Sequence, residues 1–202
     1  EDFSMVRSLV FFMLIVALVA CENTITEPAP LVVPATVVTA RNVPADTASA
    51  GRYTFYSLRD SALVASTDSN STKWDIALKG TMILTNSGVS GPGQGGGIVL
   101  AGVDFDTLSQ APASGYGRDT SATQLAIKTG SGNGWYNYNF ATNIITPIPG
   151  RVIAVRTADG KYAKVEILNY YKGAPETPTA TDAPRYYTFR YFYQPDGSRN
   201  LK

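Results

Sequence analysis

Residues 151–171 read RVIAVRTADGKYAKVEILNYY, and this stretch decides the fold of the chain. Its centre, Ala158-Asp159-Gly160, separates two runs that are rich in Val, Ile and Tyr. An Asp-Gly pair between such runs predicts a β-hairpin whose type I′ turn holds both residues at positive φ. In the second run Ala163, Val165 and Ile167 alternate with more polar side chains. This alternation predicts a half-buried antiparallel ribbon.

A second strand-like run extends from residue 185 to residue 194. Its alternate positions carry four aromatic residues, which are Tyr187, Phe189, Tyr191 and Tyr193. Four aromatic side chains on one face can bury a large apolar area, so core packing is the default explanation. A ligand-binding aromatic shelf is the alternative.

Earlier in the chain, residues 53–58 and 74–78 predict two more strands. Trp74, Ile76 and Leu78 share one face of the second, and Met82 keeps the same parity if that strand continues unbroken. No segment sustains the spacing of an amphipathic helix for three turns. The sequence therefore predicts an all-β fold, a single antiparallel β-sheet domain over residues 51–202.

The N-terminal segment has the pattern of an export signal. Thirteen apolar or small residues, Ser8 to Ala20, follow Arg7. This run is shorter than the roughly 20 residues that a membrane-spanning helix needs, and it is typical of a signal peptide. Leu18-Val19-Ala20-Cys21 resembles the lipobox of bacterial lipoproteins, in which the cysteine is diacylated. The sequence thus predicts a signal peptide over residues 1–20, lipidation of Cys21 and stable membrane anchoring.

The segment after the cysteine predicts an extended, flexible tether. Residues 21–50 contain prolines among Thr, Ala and Val, without a periodic apolar pattern. The tether would lift the domain, residues 51–202, away from the membrane.

The composition argues against catalysis and against nucleic-acid binding. The chain has no histidine, and its single cysteine is assigned to the lipid. Ser-His-Asp and Cys-His systems are therefore excluded, and so are the His and Cys ligand sets that metals commonly use. Asp104 and Asp106 are expected at a solvated edge. With a net charge of +1 and no basic stripe, we expect neither an enzyme nor a nucleic-acid partner.

One glycine-rich segment formally matches a nucleotide-binding motif. Residues 91–96 read GPGQGG and fit G-x-G-x-x-G. A nucleotide site needs a helix to open at the last glycine, whereas Ile98-Val99-Leu100 continues as strand-like sequence. We therefore expect a loop.

Taken together, several segments resemble the HmuY family of haem-binding lipoproteins from Bacteroidetes. The segments, in chain order, are Trp74-Asp75-Ile76-Ala77, the glycine-rich residues 90–97, Trp135-Tyr136-Asn137-Tyr138, residues 151–164 and Tyr187-Thr188-Phe189-Arg190-Tyr191. The resemblance implies an all-β haemophore with a role in iron acquisition. It also implies an outer-membrane lipoprotein, on the periplasmic or the cell-surface face, that passes haem to a TonB-dependent receptor.

The chain departs from the family at the haem ligands. The resemblance implies two axial histidines or methionines, one just after the W-x-x-[FY] strand and one between the P-x-x-G-Y turn and that tryptophan. Phe140 falls near the first position, and residues 117–134 contain neither His nor Met. Haem remains the implied cofactor, with Tyr136, Tyr138 and Met82 as candidate ligand-binding residues and no assigned metal site. Arg118, Lys128 and Arg151 are candidates for pairing with the haem propionates.

A second function class stays open beside the haemophore. The chain would keep the β fold and the tether, and it would bind a protein or glycan partner without haem. An apolar cavity ringed by aromatic residues would favour the haemophore, whereas a flat exposed aromatic patch would favour the interaction protein.

Overall fold

The computed structural model describes residues 35–202, which form eleven β-strands and one short 3-10 helix. The predicted signal peptide, Cys21 and the first part of the predicted tether lie outside the described residues. No helix within residues 35–202 is long and apolar enough to cross a membrane. The strands are β1 (Val37–Pro44), β2 (Thr54–Ser57), β3 (Ala62–Val64), β4 (Ile76–Lys79), β5 (Met82–Thr85), β6 (Gly96–Ala101), β7 (Tyr136–Asn139), β8 (Ile144–Pro147), β9 (Arg151–Arg156), β10 (Tyr162–Tyr171) and β11 (Pro184–Gln194).

The strands form three antiparallel sheets, so the all-β prediction is confirmed and the prediction of a single sheet is wrong. The five-stranded sheet has the order β1-β11-β10-β9-β6, the four-stranded sheet has the order β3-β2-β4-β5, and β7 pairs with β8. Strands β2 to β5 have at most four residues each and pair only among themselves. Their apolar side chains therefore need a second sheet to cover them.

The main core lies between the two larger sheets. Tyr187, Phe189 and Tyr191 of β11 are fully buried there, which confirms core packing for the aromatic run. The Tyr56 ring of β2 meets the Phe189 ring edge-on, with centroids 5.3 Å apart. The core clusters that the structure describes among residues 35–202 are all retained in a chain that starts at Glu22.

The predicted hairpin is confirmed as β9–β10, but its turn is of another type. Only Gly160 of the connection has positive φ, at 84°. The Gly160 N–H donates to Thr157 O at 2.9 Å, and the Thr157 N–H donates to Lys161 O at 2.9 Å. This is a three-residue connection that ends in a left-handed glycine, because Thr157 and Lys161 still pair.

The outward face of the β9–β10 ribbon is buried as well, contrary to the half-buried expectation. Residues 102–112 and the C-terminus cover it, with Phe105, Val152 and Phe192 in a second core cluster. The Lys164 ammonium group is buried beneath this cover, and it donates to Phe105 O at 2.6 Å and to Leu108 O at 2.8 Å. The segment with Asp104 and Asp106 thus closes the outer face of the sheet.

The first strand lies inside the segment for which the sequence predicts a flexible tether. Residues Val37–Pro44 instead pair with β11, so the tether prediction is wrong for this part of residues 21–50. Ala40 and Val43 are buried in the main core, and a bulge between them lets both face inward. Pro44 stands at the strand end, where a missing N–H costs little.

The strand predicted over residues 74–78 does not continue unbroken to Met82. The chain turns at Gly80, which has φ of 54°, and Met82 begins β5 opposite Lys79. Trp74 precedes β4 and packs in a separate cluster with Ala77 and Leu84. Its side chain therefore does not share the face of Ile76 and Leu78.

A buried carboxylate joins the two larger sheets. Asp75 Oδ2 accepts a hydrogen bond from the Leu58 N–H at 2.8 Å, just after β2. Its Oδ1 accepts one from the Ala158 N–H at 2.9 Å, in the β9–β10 turn. Because each sheet supplies one donor, Asp75 fixes the position of one sheet on the other.

The glycine-rich segment packs on a second buried polar residue, Asn86. The Asn86 side chain donates to Ser71 O and Trp74 O, and its Oδ1 accepts from the Gly93 N–H at 2.8 Å. A Cβ at Gly93 would lie 2.7 Å from Asn86 O, which is too close. The segment leads into β6 and not into a helix, as the sequence predicts.

Burial of the Asp75 carboxyl group raises its pKa to about 6, although the two N–H donors act in the opposite direction. The pKa in the folded state is then above the ordinary value of 3.8. Between these pH values the folded state holds a proton that the unfolded state has released. This group therefore contributes less to stability as pH rises from about 4 to 7.

We predict that Asp75→Asn lowers the free energy of unfolding by about 1–3 kcal/mol at pH 7, because the amide NH2 leaves one buried N–H without an acceptor. Urea unfolding at several pH values measures this, and the advantage of the wild type should shrink as pH rises from 4 to 7. Asp68→Asn, in an exposed pair with Lys73, is the matched control and should change stability by less than about 0.5 kcal/mol. An advantage that grows with pH would contradict the raised pKa.

Candidate functional site

The two candidate tyrosines lie on β7 and pack against the main core. Tyr136 is 8% exposed, with its ring 5.0 Å from the Trp135 ring, and its hydroxyl accepts a hydrogen bond from Thr81 Oγ1 at 3.3 Å. Tyr138 is half-buried, and its hydroxyl donates to Asn143 Oδ1. Both hydroxyls therefore have protein partners.

Met82, the third candidate, lies on a different element. It begins β5, pairs with Lys79 across the β4–β5 hairpin and is partly buried. The structure thus brings the two tyrosines together on one strand and leaves Met82 on another sheet. Ligand roles for these three residues stay predictions.

A first cleft, here called the tyrosine cleft, has a volume of about 440 Å³. It is lined by Thr81 and Asn143, which form hydrogen bonds with the hydroxyls of the two β7 tyrosines. Its lining is mostly apolar and consists of Gly80, Thr81, Asn143, Ile144, Ile145, Tyr170, Tyr171, Thr179, Ala180, Asp182, Pro184 and Arg185. Burial raises the pKa of Tyr170 to about 12, and Arg185 only partly opposes this. The Tyr170 phenol is therefore protonated at neutral pH and is a poor tyrosinate ligand.

A second cleft, here called the basic cleft, has a volume of about 490 Å³. Its lining comes from one segment of chain and consists of Gly117, Arg118, Thr120, Thr123, Gln124, Leu125, Ala126, Lys128, Thr129 and Asn133. Among residues 35–202, Arg118 and Lys128 are the only charged residues that line it, and neither Asp nor Glu does so. Such a cleft favours an anionic ligand.

Asp119 holds the segment that forms the basic cleft in place through hydrogen bonds to the backbone. Its carboxylate is fully buried and accepts hydrogen bonds from the Ala126 N–H at 2.8 Å and from the Thr85 N–H at 3.0 Å. The Val89 N–H donates to Asp119 O at 2.9 Å, and a Cβ at Gly88 would lie 1.9 Å from that oxygen. The segment is thereby fastened to β5 and to the start of the glycine-rich segment.

Sequence reasoning missed Asp119, because an acid in a polar loop has the pattern of a solvated side chain. The glycine at 88, which has φ of 56° and no room for a side chain, is the signal that a close backbone contact is present.

The C-terminal part of the segment that forms the basic cleft is hydrogen-bonded to β7 and β9. The Tyr138 N–H donates to Ser131 Oγ at 2.8 Å, and the Gly132 N–H donates to Tyr136 O at 2.9 Å. Arg151 donates to Gly132 O at 3.2 Å. Of the three basic residues considered for propionate pairing, Arg118 and Lys128 line the cleft, and Arg151 supports the adjoining loop.

The residues of the basic cleft fit the carboxylates of a haem but not its iron. Arg118 and Lys128 can pair with propionates, whereas in the part of the chain that the structure describes no His, Cys, Met or Tyr lines this cleft to coordinate the metal. Within residues 35–202 no three His, Cys, Asp or Glu side chains cluster in a way that could hold a metal ion. Phe140, near the position where the resemblance implies a ligand, is 82% exposed and its ring meets the Tyr138 ring edge-on.

Solved structures share this architecture. A HmuY-like protein of Bacteroides vulgatus, to which haem binding is attributed, has 20% sequence identity and a TM-score of 0.54, with 78% of this chain and 91% of that chain covered. The apo HmuY analog of Tannerella forsythia has 16% identity and a TM-score of 0.50, with 80% and 96% covered. At these identities the likeness concerns the fold.

No curated protein matches the chain. The family model of the HmuY protein does match it, over residues 49–191. That range holds both clefts, most of the aromatic core and the two larger sheets, except for β1 and the last three residues of β11. The chain therefore belongs to the HmuY family.

Proposed function

We propose that this protein binds haem, or a closely related tetrapyrrole, in the basic cleft and takes part in haem or iron acquisition. Membership of the HmuY family supports the ligand class. The segment that forms the basic cleft, residues 117–133, is the part of the chain in which the family resemblance implies one haem ligand. A binding role also agrees with the lack of histidine and of a cysteine-based nucleophile in the described residues.

The single observation that carries the proposal is the pair of cations on an acid-free cleft. Arg118 and Lys128 are both exposed, so they are available to the two carboxylates of a porphyrin. The volume of about 490 Å³ falls within the range of roughly 300–1,000 Å³ of small-molecule sites. Leu125 and Ala126, which lie between Arg118 and Lys128 in the sequence, supply apolar surface to the cleft.

We also propose a location and a receptor for this protein. Lipidation at Cys21 would anchor the domain in the outer membrane, on its periplasmic or cell-surface face. From there the protein would present its ligand to a TonB-dependent receptor. The lipobox and the membership of a family of Bacteroidetes lipoproteins support this part of the proposal.

The second candidate function is binding of a protein or glycan partner without haem. The observation that favours it is the exposed aromatic tip of the β7–β8 hairpin, where Phe140 is 82% exposed. Under this alternative the basic cleft would have no tetrapyrrole ligand, so the haemin titration described next separates the two functions.

We predict that the chain from Glu22 to Lys202 binds haemin saturably, with a sharpened Soret band in absorbance titrations. In the double variant Arg118→Ala/Lys128→Ala, the loss of two partly exposed ion pairs of about 1 kcal/mol each should weaken binding about 30-fold. The same titration measures both proteins.

Arg41→Ala/Lys172→Ala is the matched control for that variant. It removes the same charge at two exposed positions that do not line the basic cleft, since Arg41 lies on the edge strand β1 and Lys172 directly follows β10. Its affinity for haemin should equal that of the wild type. A wild-type spectrum no different from haemin with a non-binding protein would refute haem binding and favour the partner-binding alternative.

For the anchor, we predict that radiolabelled palmitate is incorporated into the full chain when it is expressed in a bacterium that processes lipoproteins. Cys21→Ala should abolish the label and release the protein from the membrane fraction, because no other thiol is present. Equal labelling of the variant and the wild type would show that Cys21 is not the acylated residue.

A further inference from the structure

We infer that the basic cleft selects its ligand by carboxylates and ring surface and not by the metal, so that a metal-free porphyrin binds as tightly as haemin. This inference rests on the proposed function and names the ligand class more closely. It follows from a mismatch between the family's implied iron ligation and the side chains that this chain places at the cleft.

Nitrogen and sulfur ligands for iron are missing from the described lining of the basic cleft. The whole sequence has no histidine, and its only cysteine is Cys21, which is assigned to the lipid. Met82 is the only methionine in the described part of the chain, and it lies on the β4–β5 hairpin and does not line the basic cleft. The soft and imidazole ligands that haem iron usually takes are therefore missing from the cleft.

Tyrosine oxygens are not placed to coordinate iron in this cleft either. No tyrosine lines the cleft, and the hydroxyls of Tyr136 and Tyr138 already bond to Thr81 and Asn143. Tyr116, next in sequence to the lining residue Gly117, turns its ring toward Tyr162, with centroids 5.9 Å apart. Burial also raises the pKa of Tyr116 to about 12, which disfavours a tyrosinate.

The nearest carboxylate is not available either. Asp119 is fully buried, and each of its oxygens accepts a backbone N–H, from Thr85 and from Ala126. Turning this side chain toward a metal would leave both donors unpaired, and the Thr85 donor is fully buried. Asp119 therefore holds the cleft in shape and does not coordinate a ligand.

The basic cleft offers a porphyrin two cationic side chains and neutral surface. Within the described chain, Lys128 has no salt-bridge partner, and the only hydrogen bond of the Arg118 guanidinium is to Gly93 O at 3.5 Å. The remaining lining is aliphatic or carries hydroxyl and amide groups. These groups recognise carboxylates and an apolar ring face, and both features are the same in haemin and in metal-free protoporphyrin IX.

The experiment titrates the chain from Glu22 to Lys202 with three probes and follows quenching of tryptophan fluorescence. The probes are haemin, protoporphyrin IX and the dimethyl ester of protoporphyrin IX. We expect the first two dissociation constants to agree within about threefold, a difference of about 0.7 kcal/mol. The ester should bind at least about 10-fold more weakly, since it has lost both negative charges.

Substitutions locate the effect. The double variant Arg118→Ala/Lys128→Ala should weaken the binding of haemin and the binding of protoporphyrin IX by the same factor. Met82→Leu, Tyr136→Phe and Tyr138→Phe should leave the ratio of the two dissociation constants unchanged. A loss of haemin affinity alone in any one of these three variants would overturn the inference and identify an iron ligand.

Other outcomes separate the inference from the proposed function. Haemin bound at least about 10-fold more tightly than protoporphyrin IX would overturn the inference and leave the proposed function standing. An ester that binds as tightly as the free acid would overturn recognition through carboxylates. Failure of all three probes to bind would overturn the proposed function itself.

Discussion

The carboxylate of Asp75 is the contact on which the rest of this structure depends. It is almost fully buried, and it accepts one backbone N–H from each of the two larger sheets. A buried charge is costly unless hydrogen bonds compensate for it, so the position of both donors is tightly constrained. With Leu58 and Ala158 fixed in this way, the aromatic side chains of β11 meet the four-stranded sheet as one core.

The segments that carry the family resemblance turn out to be scaffold. Trp74-Asp75-Ile76-Ala77 and Ala158-Asp159-Gly160 meet at the Asp75 carboxylate, and the glycine-rich segment packs on Asn86. The basic cleft is built from residues 117–133, which lie between these segments. The contacts that fix the fold thus lie outside the basic cleft, so the chain can belong to the HmuY family although this cleft has none of the His or Met ligands that the resemblance implies.

Sequence reasoning recovered what depends on local alternation. The β9–β10 hairpin and the aromatic face of β11 follow from period-two patterns, and the glycine-rich loop follows from the lack of a helix after it. It missed β1, because proline residues near Val37–Pro44 have the pattern of a tether, although edge strands tolerate proline at their ends. It also missed the cleft and Asp119. Their positions depend on contacts between segments distant in sequence, such as Asp119 with Thr85, and no local pattern encodes those.

The pairing of β1 would limit how far the domain can lie from the lipid that we propose at Cys21. Only fifteen residues, 22–36, separate that cysteine from the strand, and a fully extended chain of this length reaches at most about 50 Å. Residues 22–36 lead into β1, at one edge of the five-stranded sheet. Gly117 of the basic cleft pairs with Gly97 of β6, at the other edge. Four strand spacings of about 4.8 Å put those edges about 19 Å apart. A short tether on the far edge would leave the cleft accessible to a neighbouring protein in the same membrane, if Cys21 carries the proposed lipid.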